Sequence, residues 1–131
     1  ASDLWIERPL FVDMREMRLL GFAPLPAQIA PGESLPIGVY WRARSKPQGD
    51  YVVTVQLRDP FGAIAFEQTA RPAGNTYPTT QWSVGEVLLD WYDLNLPANF
   101  ATGNYEIFVG MIDAANGDVL GESRIAPIAV K

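Results

Sequence analysis

The chain has 131 residues, 48% of them hydrophobic, with 11 Gly, 11 Pro and neither Cys nor His. That length fits one domain able to bury roughly two-thirds of the surface its unfolded form exposes, so it needs no disulfide, metal or cofactor to fold. The missing residue types exclude an imidazole base, a thiol nucleophile, a zinc site of the usual ligands and a redox pair, and ten basic against fifteen acidic residues, a formal charge of −5, with no basic stripe, speak against nucleic acid.

The opening Ala1-Ser2-Asp3-Leu4-Trp5 has no Met or basic leader and reads as the start of an excised piece. No apolar run reaches the ~18 residues of a bilayer span, and residues 19–31 are broken by Pro24, Pro26 and Pro31. A first strand is expected around residues 17–22. Residues 33–44 then alternate: Leu35, Ile37, Val39, Trp41 and Ala43 share one phase, and Ser34, Gly38, Tyr40, Arg42 and Arg44 the other. This is a half-buried strand with Trp41 pointing inward. Pro36 marks an edge or a strand entrance.

Residues 51–58 repeat the pattern, with Tyr51, Val53, Val55 and Leu57 inward. Asp59-Pro60-Phe61-Gly62 is a turn, and residues 63–68 pair back with Ile64 and Phe66 inward. Residues 71–80, with Pro72, Gly74, Asn75 and Pro78, form a loop crossing between sheets. Beyond it Leu88, Asp90, Tyr92, Leu94 and Leu96 take the inward phase, and Trp91, Asp93 and Asn95 face out. A turn-rich link leads to a strand from Tyr105 to Met111. Residues 113–118 turn the chain, with Gly117 available for positive φ. Residues 119–130 return as a last strand interrupted near Pro127.

About seven short alternating strands and no helical period predict an all-β, immunoglobulin-like antiparallel sandwich without a disulfide. The single domain spans residues 1–131, its core about residues 14–130. Gly103-x-Tyr105 after Leu96-Pro97 suits a tyrosine corner, in which the phenol bonds back to upstream backbone.

Chemistry is sparse in this sequence. Asp90 and Asp93 flank aromatics as glycosidase acids do, but residues three apart on a strand point to opposite faces and cannot converge on one bond. Asp90 reads instead as a structural carboxylate satisfied by amides, Arg or Tyr hydroxyls. Asp113, Asn116 and Asp118 lack calcium-loop spacing and suit a hairpin turn. With no His, serine chemistry would need a Ser–Lys pair, and Lys46 and Lys131 sit in a turn and at the terminus. No catalytic or metal-binding residue is assigned. Tyr77, Trp82, Trp91 and Tyr92 are the candidate ligand-binding residues, since exposed flat aromatics stack on sugar rings and anchor protein contacts; Trp41, Tyr105 and Asp90 are structural. The competing expectation is that Trp82 caps the sandwich end and Trp91 packs under a loop.

A run of short motifs falls in order: Pro31-Gly32-Glu33-Ser34-Leu35, Val39-Tyr40-Trp41-Arg42-Ala43, Val55-Gln56-Leu57-Arg58-Asp59, Tyr77-Pro78-Thr79-Thr80-Gln81-Trp82, Gly85-Glu86-Val87, Gly103-Asn104-Tyr105 and Val109-Gly110-Met111. Across about two-thirds of the chain they resemble the C-terminal extracytoplasmic β-sandwich domain of bacterial membrane glycosyltransferases that are themselves similar to dolichyl-phosphate-mannose-protein mannosyltransferases. Trp91 departs from the polar residue expected there. The resemblance implies a non-catalytic accessory domain outside the cytoplasm, cut from a membrane-anchored parent and positioning acceptor, glycan or a neighbouring domain. It carries over no catalytic residue, because the transferring acids of such enzymes lie between membrane helices. The alternatives are a free-standing carbohydrate-binding module and a protein-interaction module working through an edge strand, a weak homodimer included.

Overall fold

A computed structural model of the chain describes residue 6 and residues 8–72 and 77–131. The expected excised start at residues 1–5 and the Gly74-Asn75 part of the crossing loop lie outside the described residues. Nine strands form two sheets: β1 (Arg8–Met14), β2 (Met17–Phe22), β3 (Gln28–Ile29), β4 (Ser34–Ala43), β5 (Tyr51–Arg58), β6 (Ile64–Ala70), β7 (Val87–Asn95), β8 (Gly103–Asp113) and β9 (Val119–Val130). The first sheet runs β1-β2-β4-β7 and the second β3-β9-β8-β5-β6. Every pairing is antiparallel except β3 with β9.

The all-β sandwich stands, with nine strands where about seven were expected. β1 does alternate, with Leu10, Val12 and Met14 as its inward phase, but the apolar Phe11 between them, exposed and at φ 60° in a bulge between Pro9 and Val12, masks that period in the sequence. β3 spans two residues and is defined by its pairing to β9 alone.

The predicted phases of β4 and β5 place their inward residues, Leu35 through Ala43 and Tyr51 through Leu57, in one buried core with Met14, Met17, Leu19, Ile107, Val109 and Met111. Pro36 sits where β4 runs past the end of β2: it pairs with Asp93 of β7, while the β2 pairing begins only at Val39. Its missing N–H therefore costs no ladder bond.

Two expectations are corrected. Ile64 does not point into the core; it is exposed, because the register slips between Leu57 and Arg58 and leaves it at the free tip of β6. Phe66 remains packed against the core. β9 runs unbroken through Pro127, which pairs with Glu106 of β8 and lies just outside the two-residue β3 pairing; the irregularity near it is a bulge at Ile125, where the register with β8 shifts between Ile107 and Phe108. As expected, the chain passes from the second sheet to the first between β6 and β7.

Candidate functional site

Strand alternation gives the first sheet an outer face whose rows can be read across the strands. One row runs Asp13, Arg18, Arg42, Val87; a second pairs Tyr40 with Leu89; a third pairs Gly38 with Trp91. Trp91 is 52% exposed and Leu89 44%. Because β7 is the edge strand, nothing lies beyond Trp91 in the sheet. Its six-membered ring packs on the bare α-carbon of Gly38, within 3 Å of where a β-carbon would be. The missing side chain thus lets a large aromatic lie flat on the sheet with one ring face open to solvent.

The other candidate aromatics do not join this face. Trp82 is fully buried: it closes the end of the sandwich, its indole N–H donating to the Tyr77 carbonyl at 2.9 Å. Tyr77, half-buried, has its ring 6.3 Å from that of Trp82 and donates its hydroxyl to Glu86 at 2.7 Å. This bond raises the Tyr77 pKa, and the Ser83 N–H, followed by Tyr77, lowers that of Glu86. Tyr92 is buried, since it shares the inward phase of Leu94. Trp82 and Tyr92 are thus corrected as ligand-contacting residues: the side chain of each is spent on core packing, and the four aromatics form no common patch.

The structural residues sit deep in the frame. Trp41 Nε1–H donates to the Tyr92 hydroxyl at 2.9 Å inside the core. Burial, followed by the charge of Asp90 and a hydrogen bond to it, pushes the Tyr92 pKa well above its ordinary value. Asp90 also accepts the Trp91 N–H at 3.0 Å, and so satisfies a backbone donor of the free edge. The Tyr105 hydroxyl donates to the Ala101 carbonyl at 2.8 Å, the bond of a tyrosine corner.

Thr79 passed unnoticed in the sequence. It is fully buried, accepts the Tyr51 N–H and donates to the Gly49 carbonyl, each at 2.9 Å. No periodicity signals it, because it lies in a single 3₁₀ turn, Thr79–Gln81, that pins the sheet crossing. Gln68 of β6 was also missed. Its amide reaches from the second sheet to the free edge of β7, donating to the Asp93 carbonyl and accepting the Asn95 N–H. A side chain thereby occupies backbone groups that a partner strand would need.

Among the described residues no group of three or more acids is placed to hold a metal ion. Asp93 projects from the outer face and Asp90 from the inner. In the 113–118 turn the side chains of Asp113 and Asn116 accept the Ala115 and Asp118 N–H groups at 2.9 Å. Two depressions are described. One, of about 420 Å³, lies at the end of the second sheet and is lined by Pro60, Tyr105, Glu106 and Ile128 among others; its Glu106 is paired with Arg124 at 2.6 Å. The other, of about 270 Å³, lies on the outer face of the first sheet and is lined by Arg18, Arg42, Ala43, Arg44, Val84 and Gly85. Among the described residues no helix is long and apolar enough to cross a membrane.

No family model matches the sequence, and no curated protein matches it. In fold, the chain is similar to the C-terminal domain of Wzt, with 13% identity over 95% of this chain and 82% of that one and a TM-score of 0.60. It is similar to a Niemann-Pick type C2 protein from Japanese carpenter ant, with 6% identity over 93% of this chain and 99% of that one and a TM-score of 0.62. It also matches part of a β-glucosidase from Listeria innocua, with 20% identity over 88% of this chain, 16% of that chain and a TM-score of 0.52. At these identities the likeness is one of fold alone.

Proposed function

We propose that this domain is a non-catalytic accessory module of a larger extracytoplasmic protein, of the membrane glycosyltransferase kind its sequence resembles, and that it holds a glycan on the outer face of β4 and β7. The observation that carries the reading is the Trp91 ring laid on Gly38 with its other face open. A flat, backed aromatic offers a sugar ring dispersion contact and CH–π stacking at little entropic cost, since the side chain is already fixed by the sheet. Tyr40 and Leu89 extend the platform along the strands. The sugar would be placed by this module and any transfer chemistry left to the parent chain, in keeping with the absence of His and Cys and the divergence of Asp90 from Asp93. Strand pairing along β7 is the weaker reading, because Gln68 and Asp90 already occupy three of its edge-facing groups.

The experiment is a two-dimensional NMR titration of the domain with neutral mono- and oligosaccharides and a soluble lipid-linked sugar analogue. The expected result is saturable movement of the Trp91 indole N–H and the Gly38 and Tyr40 amides. No movement at millimolar ligand, or movement centred on another face, would sink the glycan reading.

A further inference from the structure

We propose that Arg18, Arg42 and Arg44 form a pocket for an oxyanion, a phosphate or carboxylate group, on the same face as Trp91. Arg18 of β2 and Arg42 of β4 are direct cross-strand partners. Like charges opposed in this way destabilise a sheet, so the pair is a cost that folding alone does not explain. Arg44, two residues further along the same phase, adds a third guanidinium to the depression of about 270 Å³.

The local charges leave the pocket positive. Asp13 is the one carboxylate paired there: it takes Arg18 Nε at 2.6 Å and lies 3.5 Å from Arg44 Nη1. The Arg42 side chain has no hydrogen-bond or ion-pair partner among the described residues. Neighbouring acids are committed elsewhere. Glu16 accepts the Gln48 N–H and the Tyr51 hydroxyl, and Glu86 the Ser83 N–H and the Tyr77 hydroxyl. Three guanidiniums against one carboxylate, on a chain of formal charge −5, concentrate positive charge where the overall balance would not.

The rim is built to stay low. The Gly85 N–H is anchored to the Ala43 carbonyl at 2.8 Å, and its φ of 84° is one that L side chains rarely adopt. A β-carbon there would meet Arg42 Nη2 at 3.8 Å, so the residue facing the free guanidinium is the smallest available. Planar guanidiniums present paired N–H donors that match the oxygens of phosphate and carboxylate. Arg42 and Gly38 share one face of β4 four residues apart, about 13 Å at the strand rise, with Tyr40 between them. A short glycan bearing an acidic group, a uronate or a sugar phosphate, could rest a ring on Trp91 and its anion in the pocket. That the anion belongs to a glycan rests on the reading above; the pocket itself does not.

The test uses the labelled domain at low salt, titrated separately with inorganic phosphate, with a glucuronate-containing oligosaccharide and with its neutral counterpart. Phosphate is expected to shift the Gly85 and Ala43 amides and the Arg42 Nε–H saturably. Arg42→Gln should weaken this at least tenfold, and Arg42→Lys, which keeps the charge and loses the fork, by less. Arg124→Gln, the same charge change on the second sheet, should leave it unaltered. Trp91→Ala should weaken the acidic oligosaccharide and not phosphate. Phosphate binding with no response to either oligosaccharide upholds the pocket and overturns the glycan reading. A Trp91 response to sugars with no anion effect at the arginines overturns the pocket, as does equal weakening by Arg42→Gln and Arg124→Gln.

Discussion

The indole of Trp91 lies across the α-carbon of Gly38, its direct partner on β4, so closely that a β-carbon at Gly38 would fall 2.8 Å from Trp91 Cη2. The glycine is the seat of the aromatic. A residue that weakens the strand intrinsically is compensated by the ring packed over it.

Gly38→Ala is therefore expected to lift the ring from the sheet, despite the better strand propensity of alanine. The measurements are a red-shifted tryptophan emission component and loss of the oligosaccharide response at Trp91, with the urea midpoint moving little. An unchanged Trp91 indole resonance would show that the ring is held by something other than Gly38.

Trp41 and Tyr92 make the opposite case, a polar contact inside the core. Tyr92→Phe leaves the buried Trp41 N–H without its acceptor and Asp90 without the phenol, an expected loss of roughly 1–3 kcal/mol. Trp41→Ala adds a cavity and should cost about 3–5 kcal/mol, whereas Trp91→Ala should stay within roughly 1 kcal/mol, as expected of a surface residue. Chemical denaturation of the three variants checks the order; a Trp91→Ala loss as large as that at Trp41 would mean that the outer face is covered.

Gln68→Ala should uncover the Asp93 carbonyl and the Asn95 N–H on the β7 edge. The expected outcome is concentration-dependent self-association, measured by sedimentation, in the variant and not in the parent domain. A variant that stays monomeric at millimolar concentration would show that the remaining edge is protected by Asp90 and strand twist alone.

The pH dependence follows from Glu16 and Tyr51, which are hydrogen-bonded to each other. Burial pushes the Glu16 pKa up, but the Tyr51 hydroxyl and the Gln48 N–H outweigh it and leave it below the ordinary 4.5. Its folded pKa being depressed, the stability it contributes is present above 4.5 and is lost as pH falls through the lower folded value. Burial, then the bond to Glu16, pushes Tyr51 from 10.0 up to about 12. Its contribution is therefore present below 10.0 and is lost as pH rises through about 12. Urea midpoints across pH should fall at both ends, and Glu16→Gln should flatten both arms; an unaltered acid limb in that variant would assign acid sensitivity to other carboxylates such as Asp13, held low by Arg18.

The phases of β4, β5 and β7 were legible because each packs one face into the core and leaves the other more accessible, so a period of two survives in the residue types. Trp91 could be placed outward and Tyr92 inward from that count alone. Where the pairing is irregular, the reading failed. Ile64 sits beyond a register slip, β1 is broken by a bulge, and β3 exists only by pairing. Trp82 lies in a loop with no phase at all, and its burial depends on the 3₁₀ turn that Thr79 pins between Tyr51 and Gly49.

By itself the sequence determined the all-β class, the inward set around Trp41, the tyrosine-corner bond of Tyr105 and the chemistry ruled out by having neither His nor Cys. These depend on local alternation and residue type. Only the tertiary structure decided that Trp91 rests on Gly38, that Arg18 faces Arg42, and that Gln68 of one sheet guards the edge of the other. Each of these joins residues far apart in the chain. Register and sheet order set such pairs, and a one-residue slip in either would send the same side chains to different neighbours.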